Sequence, residues 1–450
     1  MGVRVPPGAL TDTWSAAGEI RIMNTSNPGS SGSPADIPAP QGKANVPAAW
    51  PPQTDGTVQV FLFHLMSWPY LPADFAERYD SAWVWCPNSL YDPVRGHELY
   101  REYLATLALA EPLGFDGVCV NEHHQNAYGL MPSPNLMAAA LTQLTRRIRI
   151  AVIGDALPLY NPPLRVAEEY AMLDVLSGGR LIAGMVIGSG PEYFSYQVNP
   201  TEARERFREA LDLIIKAWTT PGPFLWNSPH YFFRYVNVWP RPLQQPHPPI
   251  WIPGIGSLET IDLVAQRRFA YMGLPYFHIE TNKRVFDRFR EACQRYGYQP
   301  KPEQVGWGVA VYVAENDRQA YDEFWPHFQY FVRNCLKGIG LIPPGYTSER
   351  SMLAIARSRN AFLSPELSWR EIESGYYAIV GSPATVRDKL LHCLEYLGVG
   401  VLMLGFQAGS LPHELARKSL HLFSQEVLPA LKSARIATPV PQESSPHLSR

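Results

Sequence analysis

Apolar and polar positions along the chain follow two alternating periods. Val58 to Phe63 is a short apolar run rich in β-formers, which predicts a buried strand. Helical spacing then runs from about His97 to Leu113 and stops at Gly114, and Phe115 to Val120 supplies a second strand. The same grammar predicts a helix near Pro134 to Thr145, a strand at Ile148 to Ile153, a helix at Pro163 to Leu176 closed by Ser177-Gly178-Gly179, and a strand at Leu181 to Ile187. A helix over Thr201 to Trp218 precedes Phe224 to Trp239, whose Asn227-Ser228-Pro229 centre between aromatic runs predicts an inserted antiparallel hairpin. Strands at Ile250 to Ile252, Ala270 to Leu274 and Val309 to Val313 alternate with helices from Ser257, Asn282 and Asp317. After an irregular insertion over residues 338–375, a helix at Pro383 to Leu397, a strand at Val401 to Leu404 and a last helix at Pro412 to Leu431 complete the repeat.

Eight parallel strands with crossover helices close most simply into a (β/α)₈ barrel, an α/β fold. The rival, a doubly wound open sheet, calls for a GxGxxG turn after the first strand. His64-Leu65-Met66 stands there instead and leads into a long loop to about Gly96.

Composition sets the limits of this unit. Residues 1–55 are crowded with Pro, Ser, Gly and Ala and are expected to be a disordered leader; the barrel is expected over residues 56–433 and a flexible tail over 434–450. A hydrophobic share of 46% suits a sizeable core, and a net charge of -2 gives no footprint for nucleic acid or anionic lipid, so small molecules are the expected partners. No charged-then-apolar leader and no run of roughly 18 apolar residues predicts export or a membrane span. The five cysteines are an odd number without a CxxC pair, which predicts reduced thiols and a cytoplasmic location.

Barrel enzymes carry their reactive groups just past the strand ends. The second strand ends in Asn121-Glu122-His123-His124-Gln125. Adjacent histidines beside a glutamate suit a general base with its supports, a metal site, or a polar strand end satisfied by its neighbours; the spacing is not HExxH, and no metal is expected. The third strand ends at Gly154-Asp155, where glycine admits a flat ligand and the carboxyl can orient it. Gly188-Ser189-Gly190 and Gly254-Ile255-Gly256-Ser257 offer backbone N–H groups, the second at a helix start with a hydroxyl, which suits a phosphate. Arg204 or Arg206 could supply its cationic partner. The loop from Ser67 to Arg95 carries Trp68, Tyr70, Phe75, Tyr79, Trp83, Trp85 and Tyr91, more aromatic surface than a solvent loop tolerates, and either a lid over an apolar pocket or a subunit-interface pad explains it.

Taken together, several segments resemble the bacterial luciferase-like flavin monooxygenases over roughly Val58 to Leu431. They are Gly114-Phe115-Asp116 leading into Glu122-His123-His124; Asn161-Pro162-Pro163-Leu164-Arg165 through Ser177-Gly178-Gly179-Arg180; Gly188-Ser189-Gly190; and Val380-Gly381-Ser382-Pro383 with Gly405-Phe406-Gln407 and Glu426-Val427-Leu428-Pro429. The resemblance implies FMN, reduced by a separate flavin reductase, reacting with O₂ to form a peroxyflavin that oxygenates an apolar organic substrate. It implies His123 as the catalytic histidine with Glu122 and His124 in support. Gly154, which in the family packs against the flavin ring often through a cis peptide, Asp155, Gly188, Ser189, Gly190, Arg206, Gly254, Gly256 and Ser257 are then expected around the cofactor. Trp68, Tyr70, Trp83, Trp85, Phe277 and Phe406 are expected around the substrate. A homodimer through the helices after strands two and three is implied as well. The sequence departs from luciferase itself at Val186 and Ile187, where luciferase has a reactive cysteine and a phosphate-contacting arginine; this argues against light emission. An F420-dependent dehydrogenase of the same barrel, a flavin-holding barrel without catalysis and a metal-dependent hydrolase using His123 and His124 are the alternatives.

Overall fold

The computed structural model describes residues 56–341 and 367–436, with residues 345, 348–350, 353 and 357 between them. The expected leader over 1–55 and the tail beyond 436 lie outside the described residues, as does half of the insertion over 338–375. The first strand, β1 (Gln59–Phe63), pairs in parallel with β2 (Gly117–Val120), and β2 pairs with β3 (Arg149–Ala156). The parallel sheet continues through β4 (Leu181–Val186), β7 (Ile250–Gly254), β8 (Ala270–Gly273) and β9 (Val305–Val313) to β11 (Val401–Gly405), which returns to β1 in the register Gln59↔Val401. The eight strands therefore close, and the barrel is confirmed. The hairpin forms as β5 (Phe224–Asn227) and β6 (Phe232–Val236), outside the barrel.

Short elements appear where none was expected, two of them next to the barrel strands. β10 (Ala378–Gly381) adds to the later half of β9, starting with Ala378 opposite Ala310, where the pairing with β11 ends. A seven-residue helix, Gly190–Tyr196, follows β4 directly where only a glycine turn was read. Both are too short for periodicity to reveal.

Local chemistry explains the outer helices. α1 (Pro93–Ala108), α2 (Pro134–Leu144) and the helix Pro383–Leu397 each start with proline, preceded by Asp92, Ser133 or Ser382, whose side chain accepts a backbone N–H of the first turn. α3 (Leu164–Ser177) ends on Gly178 at φ 69, a left-handed position that glycine reaches without penalty. Side-chain alternation then builds two cores. Phe61, Cys119, Ile182, Trp251, Met272 and Met403 fill the barrel, with the Phe61 and Trp251 rings edge to face at 5.0 Å. The opposite strand faces pack against the helices.

Candidate active site

Loops at the C-terminal rim enclose a cavity of about 230 Å³. Asn121, Glu122 and His123 reach it from the end of β2, Gly154 from β3, the run 186–190 from β4, and Gly254 and Ser257 from β7. Elements far apart in sequence thus meet where the strand ends point, as the barrel topology requires.

His123 is held on one side only. Its Nδ1 lies 3.0 Å from Glu192 Oε1, and Glu192 Oε2 accepts the Ser189 backbone N–H at 2.9 Å. Burial opposes ionisation of Glu192, but the hydrogen bond and charge of His123, with Ser189 and His124, outweigh it and hold the carboxyl below its ordinary range. When His123 carries a single proton, Glu192 holds it at Nδ1 as a hydrogen-bond acceptor, and Nε2 is then the acceptor nitrogen of the ring. Edge-to-face contacts with Trp83 (5.2 Å) and Tyr128 (4.7 Å) fix the ring plane. The Tyr128 hydroxyl in turn donates to Tyr276 across the cavity.

Glu122 and His124 form a separate, saturated chain. Glu122 Oε1 meets His124 Nε2 at 2.5 Å, and its Oε2 accepts from the Tyr160 hydroxyl at 2.8 Å and the Ala156 N–H at 3.2 Å. Tyr196 occupies the remaining His124 nitrogen at 2.9 Å. Glu122 therefore touches the cavity with its partners already chosen, and His124 sits behind it. Asp155 does not line the cavity. Asn135 donates to it at 2.8 Å, and burial, followed by the charge of Glu122, pushes its carboxyl well above the usual range.

Gly154 lines the cavity, but the space its missing side chain leaves is taken by the neighbouring strand: a Cβ there would lie 2.2 Å from the Gly184 carbonyl carbon and 2.4 Å from its oxygen. The Ile153–Gly154 peptide is cis.

The other end of the cavity gathers hydroxyl and guanidinium groups, with the Glu259 carboxylate 3.9 Å from Arg204. Ser257 caps the helix Leu258–Arg267, and Thr260 one turn on shares its hydroxyl at 2.8 Å. Arg204, from the helix Ala203–Thr219, reaches Ser257 Oγ and Thr260 Oγ1 at 3.5 Å each. Arg206 does not join them: two residues on is roughly 200° around the helix, and there it pairs with Glu202 at 3.4 Å and lies over Tyr231. Gly256 also departs from expectation, since its N–H is committed to the Tyr271 hydroxyl at 2.9 Å and its α-carbon faces a neighbouring, arginine-lined cavity. Within the first cavity, Asn121 Oδ1 is buried without a hydrogen-bond partner among the described residues, an acceptor open to a ligand or to water.

The aromatic residues divide. Trp83 is buried on the cavity wall, its Nε1 donating to Cys335 O at 3.0 Å. Trp68 is buried in a second cavity beside the first. Trp85, 82% exposed, packs on Phe194 outside, and Tyr70, 44% exposed, lies under the Arg95 guanidinium. Phe406 belongs to the core between barrel and helices, its ring 5.0 Å from Phe423, and Phe277 is buried beside the helix Ile279–Arg295. Neither lines the cavity: Phe406 directly follows β11, and Phe277 lies in the loop beyond the end of β8. Sequence reasoning missed Glu192, Tyr128, Tyr276 and Thr260. Glu192 had a signal: Ser189-Gly190-Pro191-Glu192 fits the capping-box spacing that starts a helix.

Comparison with known proteins places these features in context. The luciferase-like monooxygenase family matches over residues 83–400. The chain is 36% identical to 4-hydroxyprotoasukamycin monooxygenase of Streptomyces nodosus subsp. asukaensis, over 74% of this chain and 87% of that protein. It is 25% identical to the oxygenase component of the flavin-dependent trigonelline monooxygenase of Acinetobacter baylyi, over 75% and 92%. In fold it matches the oxygenating constituent of 3,6-diketocamphane monooxygenase from Pseudomonas putida, solved with FMN, at a TM-score of 0.61 and 18% identity, covering 83% of this chain and 98% of that one.

Proposed function

This chain belongs to the luciferase-like monooxygenase family, and on that premise we propose that it is the oxygenase component of a two-component system. It takes FMN reduced by a separate flavin reductase and, with O₂, oxygenates an apolar organic molecule next to His123. The observation that carries this reading is the polarity of the rim cavity: a fixed imidazole with an accepting nitrogen at one end and an Arg204–Ser257–Thr260 cradle at the other. FMN has that shape, a flat ring system with a phosphate at the end of a chain. The partnerless Asn121 Oδ1 offers an acceptor to the polar groups between. The trigonelline relative, itself an oxygenase component, supports the two-component arrangement, and the FMN in the diketocamphane enzyme supports the cofactor.

Reduced flavin supplies the electrons and the centre at which O₂ is activated. The chain's own residues do the rest. Arg204, Ser257 and the start of the helix Leu258–Arg267 anchor the phosphate. Gly154 and Gly184 let β3 and β4 close tightly behind the ring. Trp83, Tyr128 and Tyr276 exclude water from the reactive edge. His123 Nε2 accepts a proton from substrate and, with Glu192 stabilising the imidazolium, returns it. The chain is proposed to work in the cytoplasm as a homodimer; its five cysteines are free thiols, and α2 and α3 expose Leu136, Leu144, Met172, Val175 and Leu176. Among the described residues, no helix is long and apolar enough to cross a membrane.

The test supplies reduced FMN from a separate NADH-dependent reductase and follows product from a panel of aromatic and alicyclic compounds. His123→Ala should lower turnover by a factor of about 10² or more while FMN still binds. Undiminished turnover, fast NADH oxidation by this protein alone, or binding of F420 in place of FMN would each defeat the proposal.

A further inference from the structure

A second cavity, of about 550 Å³, lies between the loops that follow β1 and β2 and shares a single lining residue with the first, His123. The two loops are tied by backbone hydrogen bonds, Trp68 N to Ala127 O at 3.0 Å and Leu130 N to Met66 O at 2.8 Å, so the cavity is part of the fold's framework. Two of its polar wall groups are committed to the backbone: Trp68 Nε1 donates to Leu90 O at 3.1 Å and the Tyr100 hydroxyl to Leu130 O at 2.5 Å. Trp68 stands against Tyr91 with ring centres 4.8 Å apart, giving an aromatic floor, and the amides of Asn88 and Gln125 stand at the exposed rim. No Asp, Glu, Lys or Arg lines it, in contrast to the first cavity with Glu122, Glu192 and Arg204.

We propose that this second cavity is the substrate site, and that the substrate is a neutral, flat aromatic molecule carrying a hydroxyl or carbonyl group. The proposal rests on the flavin reading of the first cavity. With FMN in the first cavity, His123 is the lining residue, among those described, that the cofactor and substrate sites share. The volume suits a molecule of ordinary drug size. The absence of charge selects against ions, because a charged group buried there would meet no counter-ion. Aromatic walls favour a π-system, and the rim amides offer both a donor and an acceptor to a polar substituent.

Calorimetric titration of FMN-loaded protein with 2-naphthol, and separately with 2-naphthoate, tests this. Naphthol should bind one to one without displacing FMN, and naphthoate at least about tenfold more weakly. Leu90→Trp, which fills the cavity, should weaken naphthol binding by about tenfold or more with FMN affinity unchanged. Asn88→Trp at the exposed rim should do the same, and its position spares the fold. A crystal of the ternary complex should show naphthol between Trp68 and His123. Competition between naphthol and FMN, equal binding of naphthoate, or unaltered naphthol binding by both variants would overturn the substrate site and leave the flavin reading standing. Failure of FMN itself to bind the wild-type protein would instead bring down that reading.

Discussion

Arg204 and Arg206 stand two residues apart on one helix, and only Arg204 faces the cavity, so their alanine variants should behave differently. Arg204 lies within 3.5 Å of both the Ser257 and Thr260 hydroxyls, and its side chain is 21% exposed, so a phosphate set between these groups would be largely desolvated. A hydrogen bond to a charged group contributes about 1.5–3 kcal/mol, which corresponds to a loss of roughly 10- to 150-fold in FMN affinity for Arg204→Ala. Arg206 has an intrahelical partner in Glu202, a pair of the kind worth about 0.3–0.5 kcal/mol to the helix and nothing to the ligand. Arg206→Ala should therefore leave FMN affinity within about twofold of wild type. Quenching of flavin fluorescence on titration reads both. Riboflavin, which lacks the phosphate, serves as the internal control, and Arg204→Ala should bind it as the wild type does. Equal losses for the two arginines, or equal losses of FMN and riboflavin with Arg204→Ala, would refute the assignment of the phosphate to this cradle.

Gly154→Ala places a Cβ 2.2 Å from backbone carbon and 2.5 Å from the Met185 nitrogen, atoms that cannot swing aside. Overpacking of about 1–3 kcal/mol or more should lower the melting temperature by several degrees, and an unchanged circular-dichroism melt would show that β3 and β4 separate freely. Glu192 has a folded-state carboxyl held below its unfolded value, so it contributes stability that is present above the unfolded pKa and lost as pH falls through the folded one. Urea denaturation should show Glu192→Gln less stable than wild type at pH 7, with the gap closing as pH falls below about 4; a gap independent of pH would mean that the charge plays no part.

Much of the barrel could be read from the chain because each unit carries its own punctuation. Asp92-Pro93, Ser133-Pro134 and Ser382-Pro383 start helices by local hydrogen bonding, and Gly178 ends one through its backbone freedom. β10 was invisible for the opposite reason: four apolar residues at 378–381 acquire a partner only because β9 runs on past β11. In the site, the residues after β2 were legible as a polar run at a strand end. What the run could not reveal was that His123 turns to Glu192 while Glu122 turns to His124, a division made by the short helix Gly190–Tyr196. Asp155 pairs with Asn135 and does not line the cavity, and helix rotation exchanged Arg206 for Arg204. Aromatic residues were the least legible. Trp83, Trp68 and Trp85 lie within 18 positions of one another, yet one lines each cavity and one faces solvent, an outcome set by loop path and not by residue type.

The central claim is that the rim cavity is an FMN site with His123 at its reactive edge, and a crystal structure of the protein soaked with FMN tests it most directly. The account predicts phosphate oxygens within hydrogen-bond reach of Arg204, Ser257 and Thr260, the isoalloxazine ring against Gly154, and His123 Nε2 facing the ring while Nδ1 remains on Glu192. FMN bound elsewhere, or in this cavity with its phosphate turned toward His123, would contradict it.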